Sequence, residues 1–309
     1  MLHVYTVNES YLCYHSEYTY YVNDYYQMIV ELIKSFLNKE SLKINITLCA
    51  HYNFNNNNKT VNININFEHT LLKQIDNVHH EHYPIGKVKE KDNDKFYLVK
   101  IENLNTLYQS DIIIDYSIPN IHNVKISEIS GLYEFSKKHI YISSFIYDSI
   151  FIKDNRNIFT LTTFIYDKPR RTKILNEIKV KINHININNC FDKTNLQKLY
   201  KNTKILLNIH QTDDHHTFEE LRVLPALQCG VIVICETSPL NEMIPYNDYI
   251  IWADYDNIVD KLIEVAHNYD YYYDLIFCQE HVKKVKLCDL STMNYNTLSD
   301  TFKKMEIVC

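Results

Sequence analysis

The second half of the chain alternates strand patterns with helical patterns, and this regularity is the feature that most constrains the fold. Strands are predicted at 158–164, 180–187, 205–209, 231–235 and 249–253, and helices at 169–178, 195–202, 218–229 and 257–268. Short strands separated by helices of this length form right-handed βαβ crossovers around a parallel sheet. The C-terminal half is therefore predicted to be a doubly wound α/β domain.

The first half is predicted to be a second α/β domain. Strand patterns occupy 2–7, 43–51, 61–67, 96–101, 111–116 and 139–143, and a helical pattern occupies 25–38. The strands 43–51 and 61–67 are expected to pair across a polar connection or hairpin loop at 53–59, and 77–94 is expected to be an exposed loop. We predict two Rossmann-like doubly wound domains facing a cleft, spanning 1–152 and 153–285, followed by a helical tail over 286–309.

Composition excludes several classes of protein. The 309 residues include three glycines, Gly86, Gly131 and Gly230, so neither the dinucleotide fingerprint nor the P-loop can be formed. A net charge of −6 provides no basic face for nucleic acid. No apolar run reaches the roughly 20 residues that span a bilayer, and no secretory signal pattern opens the chain. We therefore expect a cytoplasmic protein with no nucleic-acid partner and no membrane span.

Polar residues that could carry chemistry concentrate in 206–236, LLNIHQTDDHHTFEELRVLPALQCGVIVICE. An apolar strand runs into His210, Thr217 and Glu220 form the capping-box pattern of a helix start, and Gly230 ends that helix. Glu236 closes the next strand. The carboxyl ends of parallel strands share one edge with the amino ends of the helices. His210, Thr217 and Glu236 are therefore expected to line one ligand-binding crevice between the domains.

Three arginines near that edge could hold a phosphate group. Arg222 lies in the predicted helix 218–229, and Arg170 and Arg171 begin the helix 169–178. Helix starts favour anions, and a guanidinium binds phosphate oxygens with two hydrogen bonds. These residues predict a diphosphate site, although Glu219 and Arg222, three residues apart, would also suit a surface ion pair.

A metal site is a competing interpretation of the loop before this helix. Asp213, Asp214, His215 and His216 follow His210 closely. They lack the i, i+4 spacing of zinc hydrolases, which favours a solvated loop or a sugar contact by His210 alone. We predict no bound metal. A metal-dependent hydrolase that uses this loop is the least favoured of the functions considered.

The run LLNIH…FEELRVLPALQCGVIVICE resembles the C-terminal domain of GT-B-type glycosyltransferases of the group 1 kind. The segment DKPRR followed by TKIL resembles the arginine-rich helix start of the subgroup related to spore-coat maturation glycosyltransferases. The match covers roughly residues 155–270. The resemblance implies metal-independent transfer of a sugar from a nucleotide-diphosphate donor to a hydroxyl on a glycan or protein acceptor. It implies no cofactor, because the nucleotide-sugar acts as a co-substrate.

The resemblance also implies a set of donor-binding residues: Arg170, Arg171, His210, Thr217, Phe218, Glu219, Arg222 and Glu236. Arg170 or Arg171 would lie near the diphosphate, with His210 and Glu219 near the sugar. Arg222 would contact phosphate or the crevice wall, and Glu236 would contact the ribose or the sugar.

The chain departs from the family pattern at two positions. Many retaining members carry two glutamates separated by seven residues, where this chain has Thr217 and Pro225. Retention and inversion therefore both remain open. The same departure keeps a second function in view, that of a nucleotide-sugar-binding or assembly module without turnover.

Transfer to a hydroxyl with inversion requires a general base, which we expect from the N-terminal half. Glu68 and His69 follow the strand 61–67, and Asp115 follows the apolar run 112–114. These three are the predicted catalytic residues. A structural hydrogen bond explains Asp115 equally well.

Overall fold

The computed structural model describes residues 1–68, 71–74, 86–89, 96–100, 104–126, 136–164, 169–211, 217–278 and 283–305. The chain divides into two compact units. Unit 1 comprises Met1–Ser144, His216–Phe218 and Ser291–Cys309, and unit 2 comprises Phe145–His215 and Glu219–Leu290. Both units combine helices with parallel strands. No helix among the described residues is long and apolar enough to cross a membrane.

The strands are β1 (Leu2–Val7), β2 (Ser10–His15), β3 (Ile44–Leu48), β4 (Lys59–Asn66), β5 (Leu71–Gln74), β6 (Gly86–Lys89), β7 (Phe96–Lys100), β8 (Ile112–Asp115), β9 (His139–Tyr141), β10 (Ile158–Thr162), β11 (His184–Asn186), β12 (Thr203–Asn208), β13 (Ile232–Glu236) and β14 (Ile250–Ala253). The helices are α1 (Asn23–Lys39), α2 (Leu104–Tyr108), α3 (Ile118–Ile126), α4 (Pro169–Lys181), α5 (Lys193–Lys201), α6 (Glu220–Gln228), α7 (Ile258–His267), α8 (Tyr269–Tyr273) and α9 (Leu290–Lys304).

Unit 1 is organised around a six-stranded sheet with the order β1-β2-β3-β4-β8-β9. The edge strand β1 pairs antiparallel with β2, and every other neighbouring pair is parallel. A separate antiparallel sheet, β5-β7-β6, is formed by the chain between β4 and β8. The predicted strands of this half are present. The sequence did not predict β2, β5 or β6, and β6 lies inside the segment expected to be a loop.

The strand order of unit 1 differs from the predicted doubly wound order. Among the described strands, β2, β3, β4, β8 and β9 follow one another across the sheet without a reversal. β3 and β4 do pair, but in parallel, so 49–58 is not a hairpin loop. Ten extended residues reach about 33 Å, more than enough to return along a five-residue strand.

Helix α1 supplies much of the core of unit 1 through one apolar face. Ile29, Ile33 and Phe36 are fully buried at helical spacing. The C-terminal helix α9 also packs in this unit from Ser291 onward, and the ring of Phe302 stacks on Phe36 at 4.7 Å. The sequence pattern of the C-terminal tail leaves its packing open. The structure shows that α9 packs on this apolar face of α1.

Unit 2 contains a parallel five-stranded sheet with the order β11-β10-β12-β13-β14. Every strand and helix predicted for 158–268 is present, although α4 continues through Lys181 and leaves β11 with only three residues. If these five strands are numbered in chain order, they lie across the sheet in the order 2-1-3-4-5. The winding direction therefore reverses between β10 and β12. Ligands of open α/β sheets bind at the carboxyl edge beside such a reversal.

A buried arginine satisfies backbone carbonyls that the elements of unit 2 leave open. Arg156 is 6% exposed and donates hydrogen bonds to the carbonyl oxygens of Ile152, Tyr200, Thr203 and Cys229. Tyr200 lies in the last turn of α5, and Cys229 is the C-cap of α6, where carbonyls lack helical partners. One guanidinium therefore joins the ends of two helices and the start of β12.

Helix α6 ends as predicted and begins differently. Gly230 has φ +69°, and its N–H donates to the Leu227 carbonyl at 2.9 Å, while Val231 N donates to Ala226 O at 3.1 Å. These two bonds form a Schellman motif. The predicted capping box is wrong, because Glu219 is the N-cap and its side chain makes no cap bond. The buried Thr217 hydroxyl has no hydrogen-bond partner among the described residues.

Replacing Gly230 by alanine is expected to destabilise the protein by about 2–4 kcal/mol, because left-handed backbone strain adds to steric overlap. An added Cβ would lie 2.9 Å from Arg156 Nη2 and 3.2 Å from Phe151 Cα. Thermal unfolding measures the effect. Asn155→Gly is the control, since Asn155 is exposed and also has a positive φ, +62°. Equal melting of Gly230→Ala and the unmodified protein would contradict this account.

Candidate functional site

Charged and polar side chains gather at the carboxyl edge of the sheet in unit 2, beside the reversal between β10 and β12. We call them the edge cluster: Arg170 and Arg171 from the start of α4, Asn208 and His210 from the end of β12, Glu219 and Arg222 from the start of α6, and Glu236 from the end of β13. The parallel topology explains the convergence, because strand ends and helix starts share this edge.

Arg170 and Glu236 form a bidentate ion pair. Arg170 Nη1 donates to Glu236 Oε2 at 2.6 Å and Nη2 donates to Oε1. The same carboxylate accepts a hydrogen bond from His210 N at 3.0 Å, and the centre of the Tyr255 ring lies 3.8 Å from the guanidinium carbon of Arg170. The two charged side chains are only 13% and 8% exposed. Glu236 therefore fixes both Arg170 and the backbone at His210.

A second set of contacts runs through the Asn208 amide. Asn208 Nδ2 donates to Glu219 Oε2 at 2.9 Å, and Asn208 Oδ1 accepts from Arg222 Nη1 at 2.7 Å. Glu219 Oε1 also lies 4.0 Å from Arg171 Nη2. Arg171 in turn donates two hydrogen bonds to the Ile209 carbonyl. Asn208 thus bridges Glu219 and Arg222, in place of the surface ion pair that their spacing could have formed.

The edge cluster carries more positive than negative charge, with three guanidinium groups and two carboxylates. Burial, and then the neighbouring charge of Arg222, lower the pKa of Arg171 to about 10, which leaves it protonated at neutral pH. Within the part of the chain that the structure describes, no carboxylate lies within ion-pair distance of Arg222. An anion at this edge would relieve the repulsion between the guanidinium groups.

His210 is nearly buried within this cluster, and its side chain is 2% exposed. Burial by itself would lower its pKa. The Glu219 carboxylate, 3.4 Å from Nδ1, and then Glu236 act in the opposite direction, and the pKa is raised overall above 6.5. His210 is therefore shifted toward its protonated, hydrogen-donating form.

In unit 1, Asp115 is fully buried and its carboxylate accepts four hydrogen bonds. The donors are Asn66 Nδ2 and Ser117 N at 2.8 Å each, His139 Nε2 at 2.9 Å, and Asn120 Nδ2 at 3.0 Å. These four hydrogen bonds fit the structural explanation for Asp115, and they connect the end of β8 to neighbouring residues.

A cavity of about 340 Å³ opens at the carboxyl ends of β3 and β4 in unit 1. Glu68 lines it together with Tyr18, Cys49 and His51. Burial raises the pKa of Cys49 to about 12, so its thiol stays protonated at neutral pH. His69, the remaining predicted base, lies outside the described residues, as does the segment with Asp213 to His216.

No family model matches the chain. Over 294 residues it is 32% identical to uncharacterized protein R358 of Acanthamoeba polyphaga mimivirus, covering 89% of this chain and 95% of R358. The chain belongs to the R358 family. It is also similar to uncharacterized protein L138 of the same virus, with 26% identity over 193 residues, which cover 54% of this chain and 19% of L138.

The solved structures include a sucrose-phosphate synthase from Thermosynechococcus elongatus that resembles this R358-family chain. The TM-score is 0.44 and the sequence identity is 9%, with 91% of this chain and 76% of the synthase covered.

Six predicted donor-site residues of this R358-family chain lie together in unit 2: Arg170, Arg171, His210, Glu219, Arg222 and Glu236. Thr217 and Phe218 are buried and belong to unit 1, so their place at the donor site stays a prediction. Sequence reasoning missed Asn208 and Tyr255. The sequence did mark Asn208, because it is a polar residue that directly follows the apolar run 205–207, whereas nothing in the sequence distinguished Tyr255.

The buried His210 and the half-buried His184 of unit 2 are expected to show opposite pH dependence. The raised pKa of His210 makes its stabilising contribution complete below about pH 6.5 and lost as the pH rises through that pKa. Burial, then Lys179, lower the pKa of His184 to about 4, so stability falls as the pH drops from about 6.5 toward 4. Thermal unfolding of His210→Gln and His184→Gln across this range, with imidazole NMR titrations, tests both. The account fails if both histidines titrate on the same side of 6.5.

Proposed function

We propose that the edge cluster binds the diphosphate of a nucleotide-sugar, and that this R358-family protein transfers the sugar to a hydroxyl on a glycan or protein. The surplus of guanidinium over carboxylate, located at the reversal of the sheet, is the observation that carries the proposal. An open α/β sheet offers its ligand site at that point, and the charge there favours an anion. The motif resemblance of 155–270 makes the anion a nucleotide diphosphate.

Each charged residue then takes a distinct role. Arg222, whose guanidinium has an amide oxygen as its partner and no carboxylate within ion-pair distance among the described residues, contacts the phosphates, assisted by Arg171. Glu236 and Glu219 position the arginines and His210. Donor cleavage breaks the bond between the anomeric carbon and a phosphate oxygen, which leaves negative charge on the diphosphate. Prepositioned guanidinium groups stabilise that charge without an added metal ion or cofactor.

The acceptor hydroxyl loses its proton as its oxygen bonds to the anomeric carbon, and a carboxylate of unit 1 is the proposed base. Glu68 fits better than Asp115, because Glu68 lines a cavity while the oxygens of Asp115 already accept four hydrogen bonds. A base must reach the proton that it removes.

A binding module without turnover is the second candidate. Pro225 is buried inside α6, at one of the two positions where many retaining glycosyltransferases carry a glutamate. Donor binding without transfer across a broad acceptor panel would favour this candidate.

Arg222→Ala is expected to weaken binding of a nucleotide-sugar by about 1.5–3 kcal/mol, the contribution of a hydrogen bond to a charged group. Calorimetric titration with UDP-, GDP- and dTDP-sugars measures it, with circular dichroism to confirm folding. Lys201→Ala is the matched control, because it removes one positive charge from an exposed position in the same unit. Unchanged affinity in folded Arg222→Ala would remove Arg222 from the site.

Glu68→Gln is expected to lower turnover by 10²–10⁴-fold, with donor binding nearly unchanged, if Glu68 is the base. Asp115→Asn should chiefly lower the melting temperature, since it disturbs a buried hydrogen-bond network. Initial rates and thermal unfolding of the two variants separate these roles. Full activity of Glu68→Gln would eliminate Glu68 as the base.

A further inference from the structure

The ring of Phe164 lies within cation–π distance of two of the three guanidinium groups of the edge cluster. Phe164 follows β10 at the carboxyl edge of the sheet and is 2% exposed. The guanidinium carbon of Arg171 lies 4.3 Å from the centre of this ring, and that of Arg222 lies 5.9 Å from it. A cation within about 6 Å of a ring centre is attracted to the negative face of the ring. One ring therefore attracts both arginines that the proposed function assigns to the phosphates.

Asn186 of β11 fixes the backbone of Phe164. Its Nδ2 donates to the Phe164 carbonyl at 3.1 Å, and its Oδ1 accepts from Phe164 N at 3.4 Å. The Thr162 hydroxyl donates to the same Oδ1 at 2.8 Å and thereby orients the amide. The position of Phe164 is therefore set by the neighbouring strands β10 and β11. Its ring is a fixed partner for arginine side chains, which have much more rotamer freedom of their own.

Arg171 and Arg222 carry like charges that need such a constraint. Burial, and then the charge of Arg222, lower the pKa of Arg171 to about 10. Like charges that are partly buried repel each other more strongly than they would in water. The ring attracts both cations without neutralising either one, whereas a carboxylate would cancel a charge. The two guanidinium groups therefore stay together and keep their attraction for an anion.

The contact with the ring leaves hydrogen-bond donors of both arginines unused. Arg171 donates from Nε and Nη2 to the Ile209 carbonyl, and Arg222 donates from Nη1 to the Asn208 amide oxygen. Within the ranges that the structure describes, Arg171 Nη1 and the Nε and Nη2 of Arg222 donate no hydrogen bond. A guanidinium has five N–H donors, and phosphate oxygens accept them in pairs. Arg222 is half-buried, so a ligand can reach it.

We infer that Phe164 is a positioning residue of the edge cluster, whose ring holds Arg171 and Arg222 together so that their remaining N–H groups bind one diphosphate. This inference rests on the proposed function, in which these arginines contact the phosphates. Guanidinium groups that are already held in place lose little further freedom when the ligand binds, which favours affinity. An aliphatic side chain of similar size would fill the same space but lose the attraction.

The full chain is prepared with mono-, di- and trifluorinated phenylalanine at position 164 and titrated by calorimetry with inorganic pyrophosphate and with UDP. Fluorine withdraws electron density from the face of the ring and adds little volume. Affinity for pyrophosphate should therefore fall with each added fluorine, by about 3- to 10-fold in the trifluorinated protein. Phe164→Leu should weaken binding about 5- to 30-fold, the equivalent of a desolvated cation–π contact.

Phe159 is the matched control for the fluorinated series. It lies near the amino end of the same strand, and Lys204 Nζ is 5.3 Å from the centre of its ring. Trifluorination at position 159 weakens a contact of the same kind away from the edge cluster, so pyrophosphate affinity should not change. Thermal unfolding of every form reports on folding. Because the fluorinated rings keep the shape of phenylalanine, the series tests the inference even if Phe164→Leu does not fold.

Equal pyrophosphate affinity in all fluorinated forms overturns the inference, as does an unmodified protein that binds no pyrophosphate. A ring that only offsets charge in the ligand-free protein would lower the melting temperature on fluorination and leave affinity unchanged or higher, which also overturns it. If pyrophosphate affinity falls with fluorination while UDP-, GDP- and dTDP-sugars do not bind, the role of Phe164 is supported and the nucleotide-sugar of the proposed function is wrong. The two failures are therefore distinguishable.

Discussion

Mutual compensation of nearly buried charges at the carboxyl edge of unit 2 is the interaction on which the candidate site depends. Arg170 and Glu236 would each be costly to bury alone, and together they join the start of α4 to the end of β13. His210 receives its backbone position from the same carboxylate and its raised pKa from Glu219 first and then Glu236. The geometry of the candidate site is therefore set by contacts within the chain.

The same kind of side chain acts differently at the two edges of this sheet. Arg156, near the amino ends of the strands, is buried and donates to backbone carbonyls, so its hydrogen bonds close the ends of helices. Arg222 is half-buried, and its guanidinium donates a hydrogen bond to the amide oxygen of Asn208. Among the described residues, no carboxylate lies within ion-pair distance of Arg222. A guanidinium becomes a candidate ligand-binding group where its charge lacks compensation, which residue type alone does not reveal.

The carboxylates of unit 1 show the corresponding contrast. Asp115 follows a buried strand, as a catalytic residue of an α/β sheet would, yet its oxygens accept bonds from Asn66, His139 and two further donors. Glu68, after the neighbouring strand, lines a cavity instead. Both positions satisfy the rule that places functional residues at strand ends. Only the surroundings of each carboxylate distinguish a structural group from a candidate base.

The sequence by itself determined the parallel α/β character of 158–268, the order of its elements, and the end of α6 at Gly230, because these follow from local periodicity and from backbone conformations that one residue type favours. Six donor-site candidates were also predictable, since parallel topology brings strand ends and helix starts to one edge. Tertiary structure alone decided the uninterrupted strand order of unit 1, the packing of α9, and the partners of each charge. Arg170 and Glu236 are 66 positions apart, and Asn208 joins Glu219 to Arg222 across two elements. Such pairings depend on which groups the packed chain buries together, and local patterns carry no record of that burial.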